Sequence, residues 1–365
     1  MKDTLASIKT CERIFFNGID VLIRGKSLWQ FRSDGEFVRK IPIRHPYRIA
    51  FLPNRRVLID GIQRYYYLSL ETGEALWAPD KARTNWSGES LDFAVSPDGS
   101  TVYGCFYRNE RGKRVFYVER ICPDCRLCQV FPVEEGLEVT ASLFIDSEGT
   151  LCALQRQYIT QLRYADTEDP EHSVHLHGIL AIPFRDGSPQ PYWKQQWEIT
   201  DGGRYSFGRA CDGTHILFED YSVWNLETGE KTFLLDEADR ETLPAESCEY
   251  TYDPARSLLT VQYIAASTPF DRQKVIIDCS RRKIVARYLT EEPCSEEENP
   301  FCGYSVGYRG CLVGDSFWIG TATEGVVRLP FPNSTPPVKR PTPEEENASW
   351  WRFVREIRQY RKPDG

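Results

Sequence analysis

No stretch of this 365-residue chain approaches the roughly 18 consecutive apolar residues of a membrane span, and residues 1–11 lack the apolar run of a secretory leader. A broad basic surface is missing too. Lys+Arg number 45 against 53 Asp+Glu, giving a net charge of -8, which excludes a general nucleic-acid or anionic-membrane binder. Twelve cysteines in a chain of this length are too sparse for a disulfide scaffold. There is no Gly-rich phosphate loop, no HExxH pair and no calcium-binding loop. These absences predict a soluble, cytoplasmic protein whose cysteines are mostly thiols, and they make the Asn-x-Ser/Thr triplets at Asn85, Asn333 and Asn347 chance matches.

What is present points to short strands and tight turns. The chain is 41% hydrophobic and 13% aromatic, with 25 Gly, 23 Pro and 19 Tyr, a balance that favours β-structure over helical packing. Apolar segments return through polar turns at Pro53-Asn54, Pro97-Asp98-Gly99, Ser147-Glu148-Gly149, Asp212-Gly213 and Asp253-Pro254. A second turn class, Glu-Thr-Gly-Glu, occurs at 71–74 and 227–230, and Ser33-Asp34-Gly35 within 28–41 belongs with it. First-strand turns near Asn17, Asn54, Asp98, Glu148, Asp212, Asp253 and Arg309 mark seven units whose spacing centres near the roughly 40–45 residues of a four-stranded blade. So short a sheet cannot stand alone, and radial stacking is what buries both of its faces. The last unit shows strands near 304–307, 317–322 and 326–331, after which Pro330, Pro332, Pro336, Pro337 and Pro341 forbid a fourth. Residues around 4–9 are expected to fill that slot and remove an exposed edge.

Ser96-Pro97-Asp98-Gly99 and Val223-Trp224-Asn225-Leu226-Glu227-Thr228-Gly229 resemble the repeats of the WD-repeat and quinoprotein-like propeller superfamily. Phe317-Trp318-Ile319-Gly320-Thr321, followed by Gly325-Val326-Val327-Arg328, is similar to the repeat of bacterial regulator-type propellers. The similar segments cover roughly two thirds of the chain. No unit carries the Gly-His and Trp-Asp pair of the WD family, so the resemblance implies the fold and no particular partner. The expected fold is all-β, a single propeller of seven four-stranded blades over 1–332. A Pro-rich linker follows over 333–342, then an amphipathic α-helix over 343–362. That helix opens on Thr342-Pro343-Glu344-Glu345, a capping box with proline at its first position. Trp350, Phe353, Val354, Ile357 and Tyr360 fall on one stripe, with Arg352, Arg355 and Arg358 elsewhere. It either docks on the propeller's flank or binds a partner or membrane surface.

Candidate chemistry is sparse. Gly303-Tyr304-Ser305-Val306-Gly307 matches a nucleophile elbow, but Tyr308-Arg309-Gly310-Cys311 and Gly314 cannot open the helix that the motif needs. Cys122, Cys125 and Cys128 have a spacing that a structural zinc could use, with Cys105 as the nearest fourth donor; the alternative is a hairpin turn of thiols. His172, His175 and His177 form a loose cluster whose HxH pair shares one face of a strand; a solvated loop entering a strand is the simpler reading. Apart from that zinc, no cofactor is expected.

In such a blade the first-to-second and third-to-fourth turns share one end, so the longer segments 79–90, 107–114, 237–248, 266–272 and 291–301 crowd the other. Loops on a rigid scaffold are where function concentrates. Trp86, Tyr107 and Phe270 are the aromatic candidates for a partner surface there, with Arg108, Arg111 and Arg272 as polar companions. The expected function is a non-catalytic, monomeric scaffold that binds another protein. The alternative is an enzyme acting on a small polar molecule in the central channel.

Overall fold

The computed structural model describes residues 3–6, 11, 13–25, 27–43, 46–61, 64–80, 93–111, 113–135, 139–158, 174–200, 208–211, 214–218, 220–243, 248–253, 255–263, 273–289, 310–321 and 325–333. Seven four-stranded antiparallel sheets account for nearly all of them. The fold is a seven-bladed β-propeller. Among the described residues no helix is long and apolar enough to cross a membrane.

Residues 46–232 form one compact body. Its sheets are β6–β9 (Arg48–Leu52, Arg56–Asp60, Tyr65–Ser69, Ala75–Trp77) and β10–β13 (Phe93–Val95, Val102–Glu110, Lys113–Cys122, Leu127–Glu135). Then come β14, β15, β16 and β19 (Val139–Ile145, Leu151–Tyr158, Val174–Ala181, Tyr192–Thr200), and β20–β23 (Gly208–Cys211, His215–Phe218, Ser222–Asn225, Lys231–Phe233). Stacking explains why the second strands are apolar on both faces: β7 is buried at four of five positions, whereas the outer β9 has none buried. Between neighbouring sheets, Cys105, Tyr107, Phe116 and Val118 of β11 and β12 pack against Leu143, Ala153 and Leu180.

The other body comprises residues 1–45 and 233–365. It holds β2–β5 (Arg13–Phe16, Asp20–Arg24, Leu28–Arg32, Phe37–Ile41), β24–β27 (Cys248–Asp253, Leu258–Tyr263, Gln273–Asp278, Lys283–Leu289) and a sheet that joins the chain ends. In that last sheet β1 (Asp3–Ala6) lies antiparallel to β30 (Gly325–Pro330), with β29 (Ser316–Thr321) and β28 (Cys311–Val313) beyond. Thr4 pairs with Val327 and Ala6 with Val326, so the N-terminal segment fills the expected slot. The innermost strand of this blade is Cys311–Val313, turning at Gly314-Asp315. The expected turn at Arg309 and strand at 304–307 lie outside the described residues, as do Ser305 and the C-terminal helix over 343–362.

Turn chemistry fixes these hairpins. Asp98 accepts from the Ser96 hydroxyl and the Ser100 amide while Gly99 takes φ +69°. Asp146 does the same for the amides of Glu148 and Thr150, with Gly149 at φ +78°. On the third-to-fourth turns, Asn225 accepts from the amides of Glu227 and Thr228 before Gly229 at φ +72°.

Two expectations about connections need correction. Residues 107–114 are no loop: β11 and β12 stay paired up to Glu110 and Lys113. And the third-to-fourth connection of the β14–β19 blade is not short. It carries a miniature hairpin, β17 and β18 (Phe184–Arg185, Ser188–Pro189), turning through Asp186 and Gly187 at positive φ. Phe184 stacks on Tyr103 and meets Phe131 edge-on, and this apolar contact draws the insertion onto the neighbouring blade. The segment 237–248 also gains a short helix, α1 (Glu237–Glu241), capped by Asp236 accepting from the Asp239 amide.

Candidate functional site

β11 and β12 form a long hairpin of nine and ten residues. Among the described residues, β10 pairs with Val102, Tyr103 and Gly104, and β11 pairs with β12 as far as Glu110. β13 pairs with β12 from Cys122 to Val115. The tip turns at Arg111, which is exposed and held at φ +49°.

Alternation splits the hairpin into two faces. On one, Cys105 and Tyr107 pack with Phe116 and Val118 against the next blade. On the other, Gly104, Phe106, Arg108 and Glu110 line up with Glu119, Tyr117 and Val115 across the ladder. Deepest on that face, Glu119 is fully buried and accepts from the hydroxyl of Tyr65 on the preceding blade. Further out, Phe106 and Tyr117 stack at 5.1 Å with their planes 9° apart. The Arg108 guanidinium sits 5.0 Å from the Tyr117 ring and 5.7 Å from Phe106. Glu110 closes the ladder, 3.6 Å from Arg108 and accepting from the Tyr117 hydroxyl. Burial, and then that carboxylate, push the Tyr117 phenol above its ordinary range. The buried Phe106–Tyr117 pair thus supports Arg108 and Glu110, which are part-exposed.

Below the strip a second set of buried polar groups secures the base. Arg48 donates to Asp60 at 2.9 and 3.1 Å and lies 4.2 Å from the centre of the Phe93 ring on the next blade. With Tyr65 and Glu119 this ties β6–β9 to β10–β13. Burying such charges is tolerable only because each is paired.

Of the expected partner residues, Arg108 and Arg111 lie on this hairpin. Tyr107 does not face solvent: it is 2% exposed and donates to Gln155 at 3.0 Å. Strand alternation turns it towards Cys105, Phe116 and Val118 and the next blade, which accounts for the correction. Trp86, Phe270 and Arg272 lie outside the described residues.

The four cysteines expected around a zinc do not converge. Cys128 pairs with Ile121 and Cys122 with Leu127, which places Cys122 and Cys128 on opposite faces of one sheet. Cys105 pairs with Val118, four residues from Cys122 along β12 and therefore about 13 Å away. Among the described residues no three His, Cys, Asp or Glu side chains form a metal-holding group. The segment is a hairpin turn, and its working residue is Asp124. That carboxylate accepts from Arg56 at 2.5 Å and from the Tyr67 hydroxyl at 2.7 Å, both on the preceding blade. Burial, then the Asp124 hydrogen bond, raise the Tyr67 phenol to about 12. Burial likewise pushes the Cys279 thiol up to about 11 and Cys311 up to about 12, which keeps both from acting as nucleophiles at neutral pH. His175 and His177 lie two apart on β16, and His172 falls outside the described residues.

No family model matches the chain, and no curated protein matches its sequence. Solved structures do share its architecture. An oligogalacturonate lyase from Vibrio parahaemolyticus superposes with a TM-score of 0.57 at 10% identity, covering 91% of this chain and 94% of that one. The β-propeller domain of Cps50 (Swd1) from Myceliophteria thermophila gives 0.55 at 9% identity, covering 90% and 99%. The fold is therefore that of a β-propeller. One neighbour is named as an enzyme and the other as a propeller domain, so the likeness selects no function.

Proposed function

We propose that this chain is a non-catalytic scaffold that binds another protein through the blade end that carries the tip of the β11–β12 hairpin. The observation that carries the reading is the hairpin tip, where the part-exposed Arg108 and Glu110, 3.6 Å apart and seated on the buried Phe106–Tyr117 pair, lead to an exposed Arg111. Arginine side chains on a rigid support are among the groups that dominate protein interfaces, because little entropy is lost on contact. Trp86, Phe270 and Arg272 are the further partner-contact candidates of this reading. The protein acts as a monomer in the reducing cytoplasm, in keeping with free thiols at Cys122 and the exposed Cys125. The test is affinity capture from the native cell with the intact chain and with a Trp86→Ala, Arg111→Ala double variant. Loss of a stoichiometric partner from the variant supports the surface; equal recovery removes it.

A further inference from the structure

The described chain ends on the flank of the β24–β27 blade. There the Asn333 side chain accepts from the backbone amide of Arg287 at 2.9 Å, on the outer strand β27. The same Arg287 reaches across to α1's end, donating to the Thr242 hydroxyl at 2.5 Å, and to Gln273 at 3.3 Å. One arginine thus joins the exit point of the chain, the outer strand and the short helix.

This flank is apolar and acidic. Leu289, two residues beyond Arg287, is 49% exposed, and Phe233 just before α1 is 46% exposed. Arg240 covers one side of the Phe233 ring at 3.8 Å. Asp236, Glu237, Asp239 and Glu241 surround that single base on α1 and its cap.

We infer that this flank is the docking site of the chain's own C-terminal segment, residues 343–362. The nine residues 334–342 are rich in proline and span up to about 28 Å when extended, far more than the breadth of a site that Arg287 itself bridges. The segment offers a matching stripe in Trp350, Phe353, Val354, Ile357 and Tyr360. From residue 352 onward it carries Arg352, Arg355, Arg358, Arg361 and Lys362 against one Glu356, a sign opposite to that of α1. Docking covers Leu289 and Phe233 and sets the basic face beside the acidic helix. This inference stands apart from the partner surface on β11–β12, since neither shares a residue with the other.

The experiment places a photoreactive benzoylphenylalanine at position 353 of the full chain, irradiates dilute protein and maps the cross-links by mass spectrometry. Expected are cross-links within one chain to residues 233–243 or 283–289. Leu289→Asp should cut their yield about tenfold or more, the worth of one buried leucine, with the far-ultraviolet β-signal intact because Leu289 is exposed. Arg355→Glu with Arg358→Glu should lower the yield too, and Glu237→Arg with Glu241→Arg should restore it. Cross-links to a second copy, to another part of the chain, or only after adding phosphatidylserine vesicles would overturn the inference. So would a yield indifferent to Leu289→Asp.

Discussion

Asp124 shows how much a turn residue can do. Flanked by Cys122 and Cys125, it anchors Arg56 and Tyr67 of the preceding blade. Replacing it with alanine leaves both donors without this acceptor and is expected to lower stability by about 1–3 kcal/mol, read in denaturant unfolding. Cys122→Ser and Cys125→Ser together should change it by less than about 0.5 kcal/mol. A second residue, Asp98, sets an acid limit. The Ser96 hydroxyl, then the Ser100 amide, hold its carboxyl down to about 2 from 3.8. A depressed folded-state pKa contributes stability that is complete above the unfolded value and is lost as pH falls through the folded one. Carboxyl NMR should give a midpoint near that lower value in the native protein and a higher one in Ser96→Ala; a native midpoint near 4 would contradict the turn geometry. At this scale the Ser-Pro-Asp-Gly turn was legible in sequence, because its side chains bond to their own backbone. Asp124 was not, since its partners lie 57 and 68 residues away.

At the scale of elements, turns of like sequence differ in what surrounds them. Gly99 and Gly149 both adopt positive φ, but a β-carbon on Gly99 would lie 2.3 Å from Pro53 Cδ, whereas Gly149 has nothing within 4 Å. Gly149→Ala is expected to cost about 1–2 kcal/mol from backbone conformation alone. Gly99→Ala should cost clearly more, because the Asn54 turn must also move. Equal losses in thermal unfolding would mean that the two blade turns do not touch. Strand hairpins could be read from alternation and turn residues, as Tyr65–Ser69 with Ala75–Trp77 illustrates. The β11–β12 tip reads as a loop in sequence because it joins the second and third strands of a blade; pairing across the ladder satisfies the backbone of Arg108, Asn109 and Glu110 regardless. The α1 helix and the β17–β18 insertion owe their positions to Asp236 capping and to Phe184 packing, the second a contact between blades that no local pattern encodes.

For the molecule as a whole, the joined chain ends matter most. Without β1 the amides and carbonyls of β30 become an open edge. Deleting residues 1–6 should cost about 2–4 kcal/mol, the worth of a few ladder hydrogen bonds and their packing, and should promote association at high concentration. An unchanged melting temperature would show the sheet to be complete without them. The seven-blade count was legible because each blade repeats one turn grammar, while the function was not, because a partner surface is assembled from separate connections. Its most direct test is calorimetric titration of the captured partner into the intact chain and into an Arg108→Ala, Arg111→Ala variant. The hairpin account expects Kd to weaken about tenfold or more in the variant at an unchanged thermal midpoint; identical Kd values would place the partner elsewhere.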